Sequence, residues 1–143
     1  MSDYNLDVFR SRSVKAEEDL ASASLLLEHD GPPGVVCFPC QQAAEKYLKA
    51  FALLNNGPLR KIHDLDRLTK DCIALDAGFG DLILESAMLT KYYMPSRYPD
   101  DIPEDVSPEK ARAAFDAAVR IKGRVVAGVE KLMKPTGDPQ SPQ

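Results

Sequence analysis

Three groups of residues have types and spacings that could do chemistry. The first is Cys37-Phe38-Pro39-Cys40. Two cysteines at this spacing form a thiol–disulfide pair when one thiol sits at a helix N-terminus, where the helix dipole lowers its pKa. A βαβ setting usually presents such a pair, and no strand pattern surrounds this one. Both cysteines, like Cys72, fall on the apolar stripe of a helix, which favours packing as small hydrophobes. Zinc fits less well still. A closed structural site takes four ligands, and no second Cys or His pair is present to complete one. The sequence points to no metal and no cofactor.

The second group is His63-Asp64, in which a carboxylate could orient an imidazole for proton transfer. Adjacent residues diverge at a helix start, so Asp64 reads better as an N-cap and His63 as a loop contact. His29, the other histidine, ends a helix, where the dipole favours a protonated imidazole. Nearby, Gln42, Glu45, Lys46 and Lys49 share one polar side of a helix, with Glu45 and Lys49 ordered for an i,i+4 pair. That side reads mainly as solvated. The third group is the segment from Lys91 to Asp101, which carries Tyr92, Tyr93, Arg97 and Tyr98. Arg97 could grip a phosphate or carboxylate with two parallel hydrogen bonds, and the tyrosines could stack on a base or anchor a partner protein. Equally, the tyrosines could pack the loop onto the protein while Arg97 pairs with Asp100 or Asp101. Lys49, His63, Tyr93, Arg97 and Tyr98 are therefore candidate binding residues, and none stands out as catalytic.

The elements that must position these groups are all helical. Ala16, Leu20, Ala23 and Leu27 recur at helical spacing and predict a first helix from about Val8 to His29, broken by Asp30-Gly31-Pro32-Pro33-Gly34. A second helix is expected from about Val35 to Leu54, with Cys37, Cys40, Ala44, Leu48 and Phe51 inward. Pro39 would then have to lie in its first turn, where a missing N–H costs nothing. Asp64 opens a third helix through Leu65, Leu68, Cys72 and Leu75. Gly78-Phe79-Gly80 turns the chain, and Asp81 caps a fourth helix reaching about Met94. Ser107-Pro108-Glu109 is a strong start signal for a last helix to about Met133. Phe115, Ala118, Ile121, Val125, Val129 and Leu132 are expected on its inner face. Gly123 and Gly128 each cost that helix about 1 kcal/mol relative to Ala, which marks either close contact with a neighbour or local weakness. Five amphipathic helices with short connections predict an all-α, up-and-down antiparallel bundle of four to five helices. Residues 1–133 form one domain in this reading, and the proline-bearing end, 134–143, is a disordered tail.

Composition narrows the classes. Of the 143 residues, 44% are hydrophobic and 28% charged, the balance of a water-soluble globular domain. No apolar run approaches the roughly 20 residues a membrane helix needs, and the opening residues do not read as a signal peptide. With three cysteines and no export signal, the thiols are expected to be reduced in a cytoplasmic protein. A net charge of −4 argues against a dedicated duplex binder, which would usually be basic.

Taken in order, several pieces look like one family. Ala-Glu-Glu-Asp-Leu-Ala-Ser-Ala (16–23) is followed by a Gly/Pro break. Then come Val-Cys-Phe-Pro-Cys-Gln-Gln-Ala-Ala-Glu-Lys-Tyr-Leu-Lys-Ala (36–50), Ile-His-Asp-Leu (62–65) and Arg-Tyr-Pro (97–99). This succession resembles the HEPN domain of bacteria and archaea over about residues 10–133. The resemblance implies a helical bundle that commonly dimerises and that often partners a minimal nucleotidyltransferase in toxin–antitoxin or related defence pairs. It also implies that many relatives are metal-independent ribonucleases using an Arg followed four to six residues later by His. Here no histidine follows Arg97, and Arg60 stands too close to His63, so that motif is absent.

The leading expectation is therefore a module that works by association: a dimer that partners a nucleotidyltransferase and binds a nucleotide or RNA near Arg97, with no membrane involvement. The alternative is an atypical metal-independent ribonuclease, with His63 and Arg97 brought together across the fold or a dimer. A thiol-based redox sensor at Cys37 and Cys40 is a third reading.

Overall fold

Every element of the computed structural model is helical among the residues it describes, which are 2–93 and 106–134. Helix α1 spans Asp3–Glu28, α2 Pro33–Leu54, α3 Leu65–Leu75, α4 Ile83–Thr90 and α5 Pro108–Met133, with a short 3₁₀ stretch, Ala77–Leu82, leading into α4. Arg97 and Tyr98 lie outside the described residues, and so does the expected tail from 135 onward.

Helix α1 starts earlier than the apolar spacing alone predicts because Ser2 caps it. The Ser2 hydroxyl accepts from the Asn5 backbone N–H at 3.0 Å, and Asp3 places negative charge in the first turn. Helices α1 and α2 end by the same device. Asp30 (φ 54°) and Asn56 (φ 58°) take the left-handed conformation. The next residue in each case, Gly31 or Gly57, donates back to Leu26 O or Ala52 O at 2.7 Å, a Schellman closure. Gly57 is required by proximity, because a Cβ there would sit 2.9 Å from Ala52 O; at Gly31 the tightest contact, 2.7 Å, is with the end of the Leu26 side chain.

Helix α2 is the axis of the bundle and packs against α1, α3, α4 and α5. It begins two residues before the expected start, with Pro33 as its first residue, so Pro39 falls in the second turn and not the first. One backbone hydrogen bond is lost there. The other end of the expected order also shifts. Asp81 does not cap α4, because the chain first winds through the 3₁₀ stretch, where Asp76 caps Gly78 N–H at 2.9 Å. Asp81 instead receives Arg124 of α5 at 2.8 Å. The Asp76 carboxyl is held below the usual range, first by the Gly78 N–H and then by Lys131 at 3.2 Å.

The core gathers Leu20, Leu48, Phe51, Leu68, Phe79 and Ile121, among others. Phe51 and Phe79 lie 4.6 Å apart, ring centre to ring centre. Leu75 and Leu132, expected inward, are exposed, each in the last turn of its helix. At the α1 side, Glu17 joins three helices by accepting from Tyr47 Oη and pairing with Lys122 at 2.7 Å.

All three cysteines are free and buried. Burial raises the Cys37 thiol and pushes Cys40 and Cys72 up to about 12. The Cys37 and Cys72 thiols point at the Pro33 and Leu48 carbonyls. These are inert packing groups, and the redox reading has no thiolate to work with. Titration of the native protein with an aromatic disulfide at neutral pH should therefore release no thiol on the timescale of minutes. Addition of denaturant should release all three; fast labelling of Cys37 and Cys40 in the native state would contradict this burial.

Candidate functional site

The site begins with a row on α2. Gln41, Glu45 and Lys49 are spaced four apart and so lie one above another on the same side of the helix. On an outer helix this row would face water. On the central helix it faces the connection from residue 55 to 64, and the side chains are drawn inside. Gln41 is fully buried, and the side chains of Glu45 and Lys49 are only 9% and 13% exposed. The expectation of a solvated stripe is thus corrected. Lys46 leaves the row altogether to reach Asp19 of α1 at 2.6 Å, and Gln42 donates to Gln41 Oε1 at 2.7 Å.

Glu45 is the hub. Its Oε2 receives Lys49 Nζ at 3.0 Å, and its Oε1 receives Gln41 Nε2 at 3.2 Å. The His63 ring comes down onto the same carboxylate, with Nδ1 3.0 Å from Oε1 and 3.1 Å from Oε2. Gln41 Nε2 also donates to the His63 carbonyl at 3.3 Å, so the loop backbone and the imidazole are held by neighbouring groups of one helix. The connection itself is pinned from the other side, where Arg60 grips Asp71 of α3 through Nε at 2.5 Å and Nη2 at 3.1 Å.

An aromatic platform completes the arrangement. Tyr93 stacks on His63, with ring centres 3.9 Å apart and planes 12° from parallel, and lies 6.3 Å from Phe38. Tyr93 reaches this place because Thr90, at the end of α4, accepts from the Leu65 N–H at the start of α3 through its Oγ1 at 3.0 Å. A second buried contact, Thr69 Oγ1 to Ser86 Oγ at 2.5 Å, holds the same two helices together. Tyr92, the preceding residue, turns inward against Cys37, and burial raises its phenol.

Of the sequence-derived candidates, then, Lys49, His63 and Tyr93 converge. Asp64 is the N-cap of α3, accepting from Asp66 N–H at 2.9 Å, as its place in the sequence implies. The carboxylate that orients His63 is Glu45. Sequence reasoning missed Gln41 and undervalued Glu45, although their spacing of four with Lys49 was visible.

Chemically, an ionised carboxylate only accepts hydrogen bonds, so the His63 Nδ1 facing it carries the hydrogen. In the neutral ring, the Nε2 lone pair then points away from Glu45. The side chain is 45% exposed, so solvent reaches this group although its anchor is buried. Glu45 thus holds one edge of the imidazole while the Tyr93 phenol covers one of its faces. No group of three or more His, Cys, Asp or Glu side chains that could hold a metal gathers among the described residues. No helix among them is long and apolar enough to cross a membrane.

Comparison with known proteins agrees with this architecture. TT1696 from Thermus thermophilus superimposes with a TM-score of 0.70 at 30% identity, over 83% of this chain and 96% of that one. ST0689, an archaeal HEPN homologue, superimposes with a TM-score of 0.67 at 25% identity, over 85% of this chain and 97% of that one. No curated protein matches the sequence. The HEPN domain model matches residues 10–129, which takes in the Gln41–Glu45–Lys49 row, His63 and Tyr93 alike, and the chain belongs to the HEPN domain family.

Proposed function

We propose that this chain is a HEPN module that works by association: a cytoplasmic dimer that partners a nucleotidyltransferase in a toxin–antitoxin or defence pair. In this reading it holds a nucleotide or RNA end beside His63 and Tyr93. The observation that carries the binding part is the Glu45-anchored imidazole stacked on Tyr93. A base can extend such a stack, and a fixed ring loses little freedom on binding. Arg97 and Tyr98 follow Tyr93 closely in the chain and supply the phosphate-gripping and stacking groups of the same ligand. The absence of the family's Arg…His motif supports association over cleavage.

One observation favours a second reading, an atypical ribonuclease. Glu45 fixes the His63 tautomer in the way a general base requires, with Nε2 free to take a proton. Titration calorimetry with adenosine mono- and triphosphate and with a short single-stranded RNA separates the readings. Binding that is lost in His63→Ala and Tyr93→Ala, with the RNA intact afterwards, is expected. Cleavage that disappears in His63→Ala would replace the association reading with the second one. Absence of heat with every ligand, together with no nucleotidyltransferase in affinity pull-downs from the native host, would refute the proposal.

A further inference from the structure

His63 presents its two ring nitrogens to different surroundings. Nδ1 lies 3.0 and 3.1 Å from the two Glu45 oxygens. Nε2 is on the other side of the ring, in a side chain that is 45% exposed. The carboxylate is itself fixed, with Lys49 Nζ on Oε2 at 3.0 Å and Gln41 Nε2 on Oε1 at 3.2 Å. Tyr93 lies flat on one face of the imidazole, 3.9 Å away. Turning the ring over would take Nδ1 off the carboxylate, so its orientation is set.

Uptake of a proton from solvent therefore changes this ring in one respect. Nδ1–H donates to Glu45 in the neutral and the charged form alike, so the added proton goes to Nε2. There it converts an acceptor into a charged donor, while the anchor and the stack stay where they are. The new charge is also uncompensated. Glu45 and Lys49 already cancel, so the cluster passes from neutral to singly positive. The charges of the adjoining elements are turned elsewhere. Arg60 grips Asp71 of α3, Asp64 accepts from the Asp66 N–H, and Lys91 at the end of α4 lies 5.3 Å from the centre of the Tyr92 ring. Lys61 is exposed.

We infer that the site is gated by a proton: His63 holds a phosphodiester oxygen at Nε2 when the ring is charged and releases it when the ring is neutral. This rests on the nucleotide or RNA site proposed above and adds its regulation. A base stacked on the platform brings an anionic backbone to the ring's open edge. A protonated Nε2 meets that oxygen with a charge-assisted hydrogen bond; the neutral ring turns a lone pair toward it. Imidazole is the side chain whose charge changes between about pH 5 and 8, so the gate needs no movement of the backbone. Linkage is reciprocal, and an anion that prefers the charged ring must raise the pH at which the ring loses its proton.

Two dinucleotides of thymidine test this with the full chain. One carries an ordinary phosphodiester, whose single negative charge is constant from about pH 5.5 to 8, and the other a neutral methylphosphonate of similar shape. Neither has a 2′-hydroxyl, so cleavage does not intrude. In NMR titrations at fixed ionic strength, affinity for the phosphodiester should fall about 10-fold as pH rises through that range, while affinity for the methylphosphonate stays level. The fall should track the protonation of His63, read from its Cε1–H resonance, and saturating phosphodiester should move that midpoint up by about one pH unit. His63→Gln, at a half-exposed position, should leave residual binding that no longer depends on pH. Tyr93→Leu should weaken both dinucleotides and keep the slope for the charged one. Phosphodiester affinity that is level or rises with pH, or a fall that survives His63→Gln, overturns the gate and leaves the binding reading standing. No binding of either dinucleotide at any pH overturns the gate and the base-stacking site beneath it.

Discussion

Glu45→Ala is expected to lower the stability of the fold by about 3–5 kcal/mol, because it leaves a nearly buried ammonium without its counter-charge. Lys49 is 13% exposed in its side chain and pairs with Glu45 at 3.0 Å. With the carboxylate gone, that charge must either find water by disturbing α2 or remain unpaired. His63 suffers less, since its ring is half exposed and can turn to solvent. Gln41, fully buried, keeps the His63 carbonyl as an acceptor for its amide. The loss is therefore dominated by Lys49, and Glu45→Ala with Lys49→Met should recover much of it, since apolar replacements of a buried pair are often neutral or better. Urea denaturation of the three proteins measures this directly. Glu45→Gln is the milder probe: it keeps the shape but removes the charge, and its effect should appear at His63. Nitrogen-15 NMR should find the Nδ1–H tautomer in the wild type and a mixture in Glu45→Gln. An unaltered tautomer would mean that something other than Glu45 orients the ring.

Glu45 also explains where reading the sequence stopped short. Helical periodicity assumes one buried face and one wet face, and for α3 and the inner side of α5 that assumption holds. Helix α2 breaks it, because neighbours surround it and even Gln41 and Glu45 are buried. The Glu45–Lys49 spacing was legible, but the identity of what lay across from it depended on a connection whose path only the tertiary structure fixes. His63 was recognised as a loop contact, and Asp64 as a cap, from local chemistry alone. Tyr93 was singled out for its type, whereas its stacking on His63 depends on Thr90 holding the end of α4 to the start of α3. The misplaced cap at Asp81 has the same origin. A local start signal competed with a 3₁₀ stretch that the buried Phe79 anchors, and burial of that ring won.

Gly128→Val is the second large effect, expected to cost about 3 kcal/mol and to lower the thermal midpoint by roughly 6–12 °C. A Cβ at this position would stand 2.7 Å from Phe51 Cε1 and 3.1 Å from Cζ. Such an overlap is harmless where the struck group is a free side-chain end, but Phe51 is not one. Its ring is buried and backed by Phe79 at 4.6 Å, so retreat means displacing the 3₁₀ stretch as well. Gly128→Ala tests the same wall more gently. Helix propensity favours alanine by about 1 kcal/mol, and overpacking opposes it by about 1–3 kcal/mol, so a net loss is expected despite the better helix former. Opening the wall should reverse the sign of the effect. In a Phe51→Leu background, Gly128→Ala should become neutral or stabilising, and the coupling energy from that double-mutant cycle measures the contact between α2 and α5. If Gly128→Ala stabilises the wild-type background as well, α5 must stand farther from α2 than the packing of Phe51 against Gly128 requires.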